Sequence, residues 1–206
     1  MGNEELLAKV DQAVNSCRQC RLYRTRSRAV PGEGSFLSPL AFVGEAPGFN
    51  EDQQGRPFCG SAGKLLDEML TSINLKRSEV WIGNVLKCRP PENRQPMVDE
   101  LRACSPYLQM QLKAIRPKLV VTLGRFALEH FAKDLQISKD HGRPVRVGDW
   151  AIYPLYHPAA ALRSGGVAQI LREEFRRLPE ILRQDPKKFT VVGRAVVDEN
   201  QISLLN

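Results

Sequence analysis

The segment from Phe42 to Leu66 constrains the chain more than any other. Five glycines, Gly44, Gly48, Gly55, Gly60 and Gly63, punctuate it between an apolar run at Leu40–Val43 and a helical spacing at Leu65, Leu66, Met69, Leu70 and Ile73. The run predicts a short buried strand and the spacing a helix over 62–73, so the glycines join strand to helix. In an open α/β sheet such a joint lies at the edge where ligands bind. Glu45, Glu51, Asp52 and Phe58 add polar groups and one flat aromatic face, which suits a planar polar ligand. Neither of the common phosphate loops occurs, and three acidic side chains would repel a polyphosphate. The competing reading is an ordinary glycine-rich connection.

Strand and helix alternate through the rest of the chain. Leu6, Leu7, Val10 and Val14 share one face of a helix over 4–16, and helices are also predicted at 98–115, 125–132 and 167–183. Apolar runs at Val80–Leu86, Lys118–Gly124 and Trp150–Tyr156 read as buried strands, and 133–149 as loop. This order predicts a three-layer α/β/α sandwich around a mostly parallel central sheet. With 206 residues, 42% of them hydrophobic, one domain over 1–184 is expected to fold without disulfide staples. A tail over 185–206 follows, in which Phe189–Val192 and Ala195–Val197 have the pattern of a hairpin. No run reaches the ~18 apolar residues of a membrane span and the start has no secretion signal, so a cytoplasmic protein off the membrane is expected.

The 30 Lys and Arg outnumber 23 acids, for a net charge of +7. Arginines flank the predicted ligand loops, which favours a polyanionic partner over a merely solvated basic surface. Five cysteines in a cytoplasmic chain point to metal or redox chemistry. Cys17 and Cys20 form a Cys-x-x-Cys pair, read alone as a redox pair, half a zinc knuckle or coincidence. A redox pair wants a preceding strand, and here a helix precedes. Cys88 follows a strand and Cys104 sits on a helix. Zinc sites usually use two tight pairs, whereas a [4Fe–4S] cluster accepts thiolates from scattered elements, so the cluster is favoured over zinc. Cys59 reads as a small buried thiol behind Phe58, and Lys64 and Lys87 as surface charges.

Two more polar residues fall at strand ends. Asn84 either caps a turn or presents its amide to a base edge. His157, one of three histidines, precedes a proline and is either structural or part of the same rim.

Gly44-Glu-Ala-Pro-Gly48 with Gly55-Arg-Pro-Phe58, Asn84-Val-Leu-Lys-Cys-Arg-Pro-Pro91, His157-Pro158 and the four cysteines together resemble the family 4 uracil-DNA glycosylases over residues 5–183. The resemblance implies the α/β/α fold, a [4Fe–4S] cluster on Cys17, Cys20, Cys88 and Cys104, and excision of uracil from DNA to leave an abasic site. It implies that Gly44, Glu45 and Ala46 line the pocket, that Phe58 stacks on flipped uracil, that Asn84 reads O4 and N3–H, and that His157 reaches O2. The turn at Ala160, Ala161, Leu162 and Arg163 would wedge into the duplex. Ala46 stands where better-known relatives carry a water-activating Asp. Glu45 is therefore the first candidate to orient water, with Glu51 and Asn93 as further water or base contacts. No amine nucleophile is positioned, so a monofunctional enzyme acting as a monomer on uracil-containing DNA is expected. A sister glycosylase for hypoxanthine, a uracil-DNA binder that does not turn over and a zinc-stapled nucleic-acid module are the competing readings.

Overall fold

The computed structural model describes residues 2–193. In chain order the elements are α1 (Asn3–Ser16), β1 (Glu33–Gly34), β2 (Leu40–Gly44), α2 (Phe49–Gln54), α3 (Ser61–Ser72), β3 (Trp81–Asn84) and α4 (Val98–Ile115). There follow β4 (Leu119–Leu123), α5 (Arg125–Phe131), α6 (Ile137–Asp140), β5 (Val145–Val147), β6 (Trp150–Leu155), α7 (Pro158–Ala161), α8 (Gly165–Arg176), α9 (Leu178–Arg183) and β7 (Thr190–Val191). One sheet holds all seven strands in the order β1-β3-β2-β4-β6-β5-β7. The inner four, β3, β2, β4 and β6, run parallel, and β1 and β5 pair antiparallel to β3 and β6.

Every residue of β2 and β4 is buried because helices cover both faces of the sheet. Successive side chains alternate between the two covers. Leu40, Phe42, Leu119, Val121, Tyr153 and Leu155 meet Leu66, Leu70, Leu171 and Phe175 of α3 and α8. Ala41, Val43, Val120 and Ile152 meet Leu108, Leu112, Leu128 and Phe131 of α4 and α5. This is the expected three-layer sandwich, mostly parallel at its centre and antiparallel towards its borders. Strand order reverses between β2 and β4, so their carboxyl ends flank a crevice where ligands bind in such sheets.

Some expectations need correction. The helix over 167–183 is two helices, because Pro179 lacks the N–H that would have continued α8. Residues 133–149 contain α6 and β5, and the glycine-rich loop contains α2. Among the described residues no helix is long and apolar enough to cross a membrane. Thr190–Val191 pair parallel with β5, whereas the second half of the expected hairpin, Ala195–Val197, lies outside the described residues.

Candidate active site

Three strand ends meet at one rim. Gly44 ends β2, Asn84 ends β3 beside it in register, and His157 follows β6 and caps α7. Below the rim lies a cavity of about 340 Å³, lined by Glu45, Ala46, Pro47, Gly48, Glu51, Phe58, Ala62, Asn84, Pro90, Asn93, Arg94, His157, Ala159 and Arg163. Its size is at the lower end of the ~300–1,000 Å³ of ligand pockets.

Phe58 is buried, and its ring stacks on His157 with centroids 5.5 Å apart and planes at 28°. Its backbone has φ 47°, a left-handed conformation that costs a non-glycine residue about 1–3 kcal/mol and is found where a site demands it. Gly63 makes room for it, since a Cβ there would run into the Phe58 carbonyl. Gly44 is equally bound to its residue type: an added Cβ would stand 2.5 Å from Asn84 Oδ1 and 2.6 Å from Phe58 Cζ. The first loop, the β3 end and the aromatic floor thus pack through a position that only hydrogen fits.

Asn84 is 2% exposed. Its side-chain amide borders the cavity and makes no hydrogen bond to protein among the described residues. The reading of Asn84 as a turn cap has no support in this geometry.

His157 is half-buried and lines the cavity. Burial pushes its pKa down to about 4. The Ala159 N–H donates to His157 Nδ1 at 3.0 Å, so in the neutral ring the proton sits on Nε2, leaving one donor free. His130 is likewise pushed down to about 4 by burial, from an ordinary 6.5. As pH falls, the unfolded chain takes up these two protons before the folded one. Stability contributed by the two neutral rings is therefore full above about pH 6.5 and lost progressively towards pH 4, by at most ~2.7 kcal/mol per pH unit. Denaturant unfolding at pH 7 and pH 5 should show the drop, and equal stabilities would mean that the rings are not held neutral.

The three acids of the first loop separate into different roles. Glu51 accepts from the Gly48, Cys59 and Gly60 N–H groups at 3.1, 2.9 and 2.9 Å and so ties the loop into one shape. Asp52 is buried and points away, accepting the Ser27 N–H on both oxygens at 3.0 Å. Glu45 lines the cavity and its carboxylate has no hydrogen-bond or ion-pair partner among the described residues, its pKa raised by burial and partly lowered again by Arg125. Asn93 borders the cavity and accepts from Arg89 Nε at 2.8 Å. Arg94 was not foreseen: α4 holds it there through Glu100, which is fully buried and bonds it at 2.6 and 2.9 Å. An Arg six residues before a Glu at a predicted helix start was the available signal.

In the turn after His157, Ala161 is buried in the core, whereas Leu162 is 53% exposed and Arg163 reaches the cavity. The exposed tip is thus Leu162 and Arg163. Cys59 is partly exposed rather than buried. Lys87 is not a surface charge: it is 1% exposed, its Nζ lies over the Trp81 ring, and burial lowers its pKa to about 8.

Cys17, Cys20, Cys88 and Cys104 all pack into one apolar cluster with Val10, Val14, Leu22, Leu86 and Tyr107. Arg26 donates to Cys88 Sγ at 2.9 Å and the Lys87 backbone N–H to Cys104 Sγ at 3.2 Å. Burial raises the Cys20 and Cys88 thiols and pushes Cys104 up to about 12, so these sulfurs resist ionisation unless a cation shares their site. Among the described residues no three His, Cys, Asp or Glu side chains converge as a ligand set for a single metal ion.

A family model for the uracil DNA glycosylase superfamily matches residues 31–179. The chain is 45% identical over 195 residues to the type-4 uracil-DNA glycosylase of Sulfurisphaera tokodaii, covering 90% of this chain and 88% of that one. It is 43% identical to the type-4 enzyme of Saccharolobus solfataricus (90% and 89% covered) and 44% identical to that of Archaeoglobus fulgidus (86% and 94% covered).

Proposed function

The chain belongs to the uracil-DNA glycosylase superfamily, among its type-4 members, and on that premise we propose that it hydrolyses the N-glycosidic bond of uracil in DNA. The observation that carries this reading is the Asn84 side chain, 2% exposed, at the same cavity as the Phe58–His157 stack. A base inside a duplex is out of reach, so the uracil nucleotide is extruded, at a cost of a few kcal/mol. Phe58 takes its flat face. The Asn84 amide donates to O4 and accepts from N3–H, a pattern that cytosine reverses. As the bond breaks, negative charge gathers on the departing base, and His157 Nε2–H donates to O2. Glu45 orients the attacking water, and its raised pKa brings it nearer to a useful base at neutral pH. Leu162 and Arg163 fill the space that the nucleotide leaves.

Among the described residues no lysine lines the cavity, and Lys87 is buried elsewhere, which supports a monofunctional enzyme. In this reading the enzyme acts as a monomer on uracil-containing DNA. In this reading it acts in the cytoplasm, on nucleoid DNA.

Cys17, Cys20, Cys88 and Cys104 hold a [4Fe–4S] cluster in this reading. Each corner iron takes one thiolate, so the sulfurs stand apart, whereas zinc would draw all four to ~2.3 Å from one ion. N–H groups directed at two of the sulfurs are the kind of contact such clusters use. When bound, the cluster supplies a cross-link between the end of α1, the loop after β3 and α4.

The test is a uracil-containing oligonucleotide incubated with the protein and then with alkali. Cleavage at uracil only after alkali is expected. Asn84→Asp removes the N–H donor to O4 and should lower kcat/KM on uracil about 5- to 150-fold, the ~1–3 kcal/mol of a mispaired buried group. Undiminished kcat/KM would take Asn84 out of base reading.

A further inference from the structure

Two large apolar side chains stand exposed beside the cavity, and the excision reading uses only Leu162. The other is Phe49, 56% exposed, the first residue of α2. Its neighbours Gly48 and Glu51 both line the cavity. The ring is fixed in place: the Arg89 guanidinium lies over it, 5.1 Å from the centroid. Arg89 in turn donates to Asn93 Oδ1, and Asn93 lines the cavity from the loop after β3. Phe49 and Arg89 therefore bridge the first and second loops at the mouth, with a cation over the ring and more than half of the residue open to solvent.

We infer that the Phe49–Arg89 pair is a stacking shelf for an unpaired base next to the excised uracil. The inference rests on the uracil-DNA reading of the adjoining cavity. An aromatic face backed by a guanidinium accepts any base through its π-surface, without reading its edge. Arg94 lines the same mouth and places a guanidinium near the path of the strand that carries that base. A base within an intact duplex is already stacked on both sides. The shelf therefore offers most to a neighbour that lost a partner when uracil left the stack, or to a single strand. Phe49 makes the enzyme favour opened DNA, a preference that Asn84 and His157 do not set.

Full-length protein and a single-stranded uracil oligonucleotide carrying 2-aminopurine beside the uracil provide the test. The wild type should quench 2-aminopurine on binding. Phe49→Ala should restore its fluorescence and raise KM about 5- to 150-fold, with a much smaller change in kcat, and Phe49→Trp should recover both. Because the ring is exposed, the substitution leaves the core intact, and circular dichroism verifies this. An unchanged KM and unchanged quenching in Phe49→Ala, alongside normal uracil release, would overturn the shelf and keep the excision reading. A wild type that quenches but releases no uracil would overturn excision and keep the shelf. If Phe49→Ala instead abolishes self-association without altering KM, the ring serves a second copy of the chain and the shelf is wrong.

Discussion

Replacing His157 with alanine is expected to slow uracil release about 100- to 1000-fold in single-turnover assays while the protein stays folded. That range, ~2.7–4 kcal/mol, is what removal of one preorganised donor to a developing oxyanion costs. The direction of the effect follows from one hydrogen bond. Because Nδ1 is occupied by the Ala159 N–H, the neutral ring can only donate from Nε2. With a pKa near 4, that donor is the same species from pH 8 down to about pH 5, so no imidazole titration should shape the rate near neutrality. Alanine also removes the cap of a four-residue helix, at ~1 kcal/mol. His157→Asn separates the two effects, since asparagine is a good cap but has no Nε2 to donate. Both variants should be slow. Rapid release by the asparagine variant would mean that the ring only shapes the turn.

The second large effect is at sulfur. Cys104→Ser should purify without iron and without the broad absorbance near ~400 nm that marks such a cluster. It should also melt on the order of 10 °C lower, at about 2–4 °C per kcal/mol for a domain of this size. Cys104 sits on α4, which also carries Glu100, the residue that holds Arg94 at the cavity. Loosening α4 should therefore weaken DNA binding more than it alters the bond-breaking step. Cys59→Ser is the contrast, because Cys59 lies outside the apolar cluster of the other four and should stay brown. Iron retained in Cys104→Ser would show the ligand assignment wrong.

The three strand ends were legible because a parallel sheet puts all its carboxyl ends on one rim. Finding polar residues after three buried runs was enough to bring Asn84, His157 and the first loop together. Phe58 could be named from the family resemblance, but its left-handed backbone and the hydrogen-only gap at Gly44 are products of packing. Helix α2 was missed because a single Phe followed by five polar residues shows no apolar period; only the three-residue spacing of Gly48 and Glu51 marks it. Strands β1 and β5 are too short for alternation to register. Pro179 was visible, yet the apolar spacing on either side of it stays in phase and hides the break. Lys87 defeats sequence reading for a different reason. Nothing next to it in the chain says that Trp81 and α1 will close over it.

The strands are also unequal in time. Gly44, Asn84 and His157 hang from β2, β3 and β6, each of which has a hydrogen-bonded neighbour on both sides. The borders, β1 and β7, are two-residue strands, where opening begins at little cost. Amide protons there exchange with water during brief local fraying, whereas those at the roots of the cavity wait for the whole domain to open. The cavity is thus insulated from the loosest parts of its own sheet, and warming that melts the border leaves the cavity-lining groups in register.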